Sequence, residues 1–205
     1  AAVRQAGVDP KGLTQHDLGL LQTPQNLSLF LQSGPEEHRQ VGSVQALLNR
    51  YWNYKRRCVE VRLGRPPRWM ELVRTLSNWL SEHQTLSAPA DVLDGFAGEV
   101  EAMASEHVLA LEGRTCRFFH ESVFDYVFAR TYVAQGGTAA KLLLSDEQDL
   151  FRRGQVRQIL AYNRDRDFSS YLVDLQTLLT NADVRAHIKK VVIDWLRNLP
   201  GPRAE

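Results

Sequence analysis

Apolar positions recur along this chain mostly at helical spacing. The first such stretch runs from about Pro24 to Gln32. Thr23 stands at its capping position and Pro24 at its first helical position, where a missing N–H costs nothing. Ser33-Gly34-Pro35 is expected to stop it. A second stretch places Val44, Leu47, Leu48, Tyr51 and Trp52 on one face, with Lys55, Arg56 and Arg57 expected in its last turn, against the helix dipole. After the punctuation of Arg65-Pro66-Pro67, a third helix shows Trp69, Leu72, Val73, Leu76, Trp79 and Leu80 at i, i+3, i+4 intervals. Shorter helices are predicted over about 89–96 and 99–105.

The period then changes. Val108-Leu109-Ala110-Leu111 and Arg114-Thr115-Cys116-Arg117-Phe118-Phe119 flank Glu112-Gly113, a pair suited to closing a β-hairpin. A helix resumes after His120, runs to about Ala134 and ends at Gly136-Gly137. The last third reads as purely helical. Ser145-x-x-Gln148 has the form of a capping box opening a helix towards Tyr162, with Gly154 weakening its middle. Tyr171, Leu172, Leu175, Leu178 and Leu179 mark another helix; Val184, Ile188, Val191, Val192, Trp195 and Leu199 mark the last, expected to end at Pro200-Gly201-Pro202. The expected fold is mainly α: a small helical domain over 1–40, a winged-helix domain with one β-hairpin over 41–135, and the start of an α-solenoid-like region over 136–205.

Composition agrees with this and narrows the chemistry. Leu occurs 28 times against 3 Ile, a bias towards helix. The 205 residues are 43% hydrophobic and 24% charged, enough chain to bury a core without a metal or disulfide staple. Basic and acidic residues number 25 and 24, so the strong basic excess of many nucleic-acid binders is missing. No apolar run approaches the ~18 residues of a membrane helix, and no signal peptide is visible. Cys58 and Cys116, too few for a disulfide framework, favour a reducing, cytoplasmic setting, a single bridge between them being the alternative. Ala1 opens the sequence and no Met lies near it, so an excerpt of a longer protein is expected.

Motifs for catalysis do not occur. There is no G-x-x-x-x-G-K-[ST], G-x-S-x-G or H-E-x-x-H, and no two of the six histidines stand at i, i+4. Two segments are more informative: Leu20-Leu21-Gln22-Thr23-Pro24-Gln25-Asn26-Leu27-Ser28-Leu29-Phe30, and Arg117-Phe118-Phe119-His120-Glu121-Ser122-Val123-Phe124-Asp125-Tyr126-Val127-Phe128-Ala129-Arg130. Taken alone, the first is a buried helix started by proline, and the second a strand entering an aromatic helix with a histidine at the junction. A histidine there is most often a cap or a packed group, and such an aromatic run is most often core.

Together and in this order, about a hundred residues apart, the two segments say more. The second resembles the F-x-H-x-S-F-x-[DE]-[YF] signature in the winged-helix domain of STAND-type NTPases of the NACHT class. The first is similar to the proline-bearing segment of the small helical domain that follows their nucleotide-binding core. The resemblance implies that His120 reaches the β-phosphate of bound ADP and that Pro24 packs against adenine. Ser122 and Asp125 are then helix-start and structural positions, and Val123 stands where the family often has Phe. It further implies a parent ATPase whose phosphate loop and magnesium ligands lie upstream of Ala1. ADP/ATP would be shared with that core, and exchange for ATP would permit homo-oligomerisation in cytoplasmic signal transduction, in bacterial relatives commonly defence. The trigger, a protein or ligand, is left open.

Two rival readings stand beside it. A DNA-binding winged helix draws on the basic cluster Arg56, Arg57, Arg62, Arg65 and Arg68, against which stands the acidic cluster Asp91, Asp94, Glu99, Glu101 and Glu106. The plainer meaning of both clusters is a solvated charged face. The other rival is a helical scaffold for protein partners.

Overall fold

The computed structural model describes residues 12–34, 41–145 and 147–199. Among them the fold is mainly α, with ten α-helices and one small antiparallel sheet. The chain divides into two compact units, Ala1–Glu82 with Leu86–Val123, and His83–Thr85 with Phe124–Glu205.

In the first unit a short helix, α1 (Gln15–Leu20), precedes the proline-led α2 (Pro24–Leu31). The helical pattern of 24–32 does not reveal α1, which rests on polar chemistry. Thr14 and Asp17 form a reciprocal capping box, and the other carboxylate oxygen of Asp17 accepts from the backbone N–H groups of Val41 and Gly42 at 2.9 and 2.8 Å. Pro24 takes the first position of α2 as expected, whereas the Thr23 side chain makes no capping bond. Gly34 follows at φ 86°, and a Cβ there would lie 2.4 Å from the Tyr54 ring, so glycine is required on both counts. Pro35, expected in the same stop, lies outside the described residues, as do Pro200-Gly201-Pro202.

Helix α3 (Val44–Leu63) is capped by the Ser43 hydroxyl and ends at Gly64, in the left-handed region at φ 64°. Its 20 residues carry it past the expected last turn, so Lys55, Arg56 and Arg57 sit mid-helix and Lys55 is buried. Helix α4 (Trp69–Glu82) presents the predicted stripe: Trp69, Leu72, Val73, Leu76 and Leu80 are buried. Then come β1 (Ala88–Pro89), a 3-10 segment (Ala90–Phe96) broken at Leu93, and α5 (Ala97–Ser105). Strands β2 (Leu109–Glu112) and β3 (Thr115–Phe118) form the predicted hairpin, with Gly113 at φ 61° between them. Pairing Glu112 with Thr115 shifts the turn one residue, to Gly113-Arg114. The sheet order is β1-β3-β2. Both cysteines are free.

Helix α6 (Glu121–Ala134) begins in the first unit and continues in the second, and every residue from Val123 to Ala129 is buried. A helix buried on all sides is core rather than surface. The second unit continues with α7 (Ala139–Leu144), α8 (Arg152–Arg166), α9 (Phe168–Thr180) and α10 (Ala186–Arg197). The capping box expected at Ser145 is not formed. Ser145 ends α7, its hydroxyl donating to Lys141 O at 2.7 Å. Gln148 instead joins distant backbone, donating to Asp183 O and accepting from Arg185 N, both at 2.8 Å. Helix α8 starts at Arg152, whose N–H donates to Asp149. No helix among the described residues is long and apolar enough to cross a membrane.

Candidate functional site

His120 occupies the junction between β3 and α6, and its carbonyl accepts from Val123 N at 3.0 Å, closing the first turn of α6. The ring is half-buried. Its Nε2 faces α2, 3.2 Å from Gln32 Nε2 and 3.5 Å from Ser28 Oγ. Gln32 Nε2 also donates to Ser28 Oγ at 2.9 Å, so three polar groups form one cluster. Pro24, Ser28 and Gln32 succeed one another at i, i+4 and i+8, which places them along one face of α2. Ser28 lies one turn, about 6 Å of axial rise, beyond Pro24. Pro24 itself is exposed at the start of that face.

Behind the imidazole stands α3. The Tyr51 ring meets His120 edge-on with centroids 6.1 Å apart, and Phe119 packs on it at 4.9 Å. Tyr51 Oη donates to His107 O at 2.9 Å, and Lys55 Nζ, one turn on, donates to Glu106 O at 2.7 Å. These bonds place a phenol and a basic side chain on the two carbonyls that directly follow α5, beside the negative end of its dipole. His107, which carries one of these carbonyls, takes a left-handed conformation at φ 56° between α5 and β2. Burial lowers the Lys55 ammonium below its ordinary value, opposed by Glu106 and Cys58. Burial likewise holds the His120 imidazole below its usual range, with the Lys55 charge adding to the effect. The resting ring is therefore neutral near pH 7.

The structure thus brings His120 to the helix face that Pro24 begins. Ser28, Gln32 and Lys55 are added as neighbours that the sequence reading passed over. Signals for them were present: Ser28 and Gln32 repeat the Pro24 spacing, and Lys55 interrupts the apolar row Leu48, Trp52, Val59. A basic residue in an apolar row must find a buried acceptor. The motif's other polar positions serve as helix positions: Ser122 lies in the first turn of α6, and Asp125 is buried.

The basic cluster proposed for DNA meets the acidic one instead. Arg62 pairs with Glu106 at 2.6 Å; Arg65 and Arg68 approach the buried Glu99 carboxylate at 2.9 and 3.6 Å. Arg68 also lies over the Phe96 ring at 4.5 Å and donates to Gly95 O. Burial pushes the Glu99 carboxyl up, but hydrogen bonds from Arg65 and Arg68 and the Arg65 charge bring it below the ordinary glutamate value. Three of the five arginines are thereby turned towards carboxylates of their own unit.

No family model matches this chain, and the searches of curated proteins and of solved structures return no match either.

Proposed function

We propose that this chain is the regulatory segment of a STAND-type signalling ATPase of the NACHT class. In this reading His120 holds the β-phosphate of ADP carried by an upstream nucleotide-binding core, Pro24 packs against adenine, and the hold keeps the protein closed. Loss of that hold on exchange for ATP permits homo-oligomerisation, in signalling of the kind used in defence. The phosphate loop and the magnesium ligands belong to the upstream core.

One observation carries the reading: Nε2 of His120 is turned towards the face of α2 that starts at Pro24. A ring packed away from that helix would have ended it. The donor chemistry also fits an anion. An imidazole nitrogen that carries its proton donates to a phosphate oxygen, the nearby Lys55 would add a favourable field, and charge-assisted bonds to phosphate are the strong ones. The protein needs a closed and an open state for which the two nucleotides differ in affinity, and a contact made in one state alone supplies that difference.

In the full-length protein, His120→Ala is expected to release ADP about 10- to 100-fold faster, the equivalent of one charge-assisted hydrogen bond, or to oligomerise without a signal. Retention of labelled ADP and size-exclusion chromatography measure the two effects. Unchanged retention, with the variant folded by circular dichroism, removes the role assigned to His120. The helical-scaffold reading would then take precedence, favoured by Phe168, Leu172 and Val173, which stand 56%, 48% and 66% exposed on α9.

A further inference from the structure

Three hydrogen-bonding groups meet at His120, and their donors and acceptors can be counted. The Gln32 carboxamide has two N–H donors on Nε2 and a buried carbonyl, Oε1, that has no partner among the described residues. As placed, one N–H donates to Ser28 Oγ and the other points at His120 Nε2. A nitrogen that accepts an N–H carries no proton, so the ring proton then resides on Nδ1. Turning the amide over would put its carbonyl against Nε2 and Ser28, and bury the two donors of the NH2 where Oε1 now stands alone. One orphaned carbonyl costs less than an NH2 stripped of partners, so the first orientation is favoured. No charged group on α2 enters this balance. From α3 the ring meets Tyr51 and the field of Lys55, and Phe119 stands between it and His107.

We propose that Gln32 is a positioning residue that holds His120 as the neutral Nδ1–H tautomer, so that Nε2 can donate to an anion only after the Gln32 carboxamide withdraws. The gating half of this statement rests on the nucleotide-latch reading above; the tautomer half does not. In the resting arrangement Gln32 occupies the position a phosphate oxygen would need, and it also withholds the proton that such an oxygen would accept. Engagement of the latch therefore requires a side-chain movement on α2 as well as a ligand. This couples the face begun by Pro24 to the proton state of the histidine.

The tautomer is read directly by long-range 1H–15N NMR of the histidine-labelled 205-residue chain near pH 7.5, with His120→Gln assigning its resonances among the six histidines. In the wild type, Nδ1 is expected in the protonated range and Nε2 in the unprotonated range. Gln32→Leu, which keeps the shape and removes both donors, should move the population towards Nε2–H. Gln32→Glu, an acceptor only, should move it further and raise the pH at which the ring titrates. A protonated Nε2 in the wild type, or the same tautomer in wild type and Gln32→Leu, overturns the proposal. In the full-length protein, Gln32→Leu should hold ADP roughly 2- to 10-fold longer, the equivalent of one displaced hydrogen bond. A shifted tautomer with unchanged retention overturns the gating half. Failure of the latch reading itself would show separately, as unchanged ADP retention in His120→Ala.

Discussion

His120 shows how burial sets the chemistry of a histidine, with the charge of a neighbouring lysine adding to the effect. Lys55 is 6% exposed and donates to the Glu106 carbonyl at the end of α5, while burial lowers its ammonium below the ordinary value. The His120 ring resists protonation because it is partly desolvated, and Lys55 beside it adds to that resistance. Because its folded value is depressed, the unfolded chain binds the proton more readily. The contribution of His120 to stability is then full above the ordinary histidine value of about 6.5 and is lost as the pH falls through the folded value. Urea midpoints at pH 7.5 and 5.5 should therefore differ more for wild type than for His120→Gln. An equal drop in both would show that the ring is not desolvated. Glu99 and Asp17 do not confuse the measurement, since both carboxyls are depressed in the folded chain and lose their contribution only at more acid pH. At Asp17, burial is outweighed by the N–H groups of Gly42, Thr14 and Val41 and the Thr14 hydroxyl.

At the scale of elements, the second unit is assembled by polar side chains that cross from one helix to another. The buried Asp174 of α9 accepts from Ala139 N and Ala140 N at 2.7 and 2.8 Å, satisfying the first amides of α7 from outside that helix. Gly154 has an equally specific reason. It is the third residue of α8, and a Cβ there would lie 2.6 Å from Oδ2 of the buried Asp125 on α6. Helix propensity alone would make Gly154→Ala stabilising by roughly 1 kcal/mol. The close approach reverses the sign, and we expect a loss of about 1–3 kcal/mol, of the size found for overpacked cores. Thermal denaturation decides between them, and a raised Tm would mean that α6 and α8 can separate without penalty.

At the scale of the whole chain, charge and missing motifs govern what it can bind alone. The net charge is +1, and much of the local basic cluster is paired with Glu99 and Glu106. A diphosphate needs a cradle of backbone amides, and the sequence holds no phosphate loop. The 205-residue chain by itself should accordingly bind ADP weakly or not at all in calorimetry. Tight binding would show that the nucleotide site lies within this chain and that the division of labour with an upstream core is wrong.

Strong periodicity made α3, α4, α6, α9 and α10 legible, as an amphipathic or wholly apolar helix is encoded by local spacing. The change of period on either side of Glu112-Gly113 did the same for the hairpin. Helices α1 and α7 were not legible, because six-residue helices hold too few turns to show a period; α1 rests on Asp17 and α7 on Asp174, each bound to backbone distant in the chain. The same cause misled at Ser145-x-x-Gln148, where long-range backbone partners at Asp183 and Arg185 took the glutamine. For the candidate site, the motif singled out His120 and Pro24. What surrounds the ring, with Gln32 and Ser28 in front and Tyr51 and Lys55 behind, was decided only when α2 and α3 were brought against the end of β3. Local spacing can encode an element, but the partner of a side chain is chosen by whatever the folded chain places beside it.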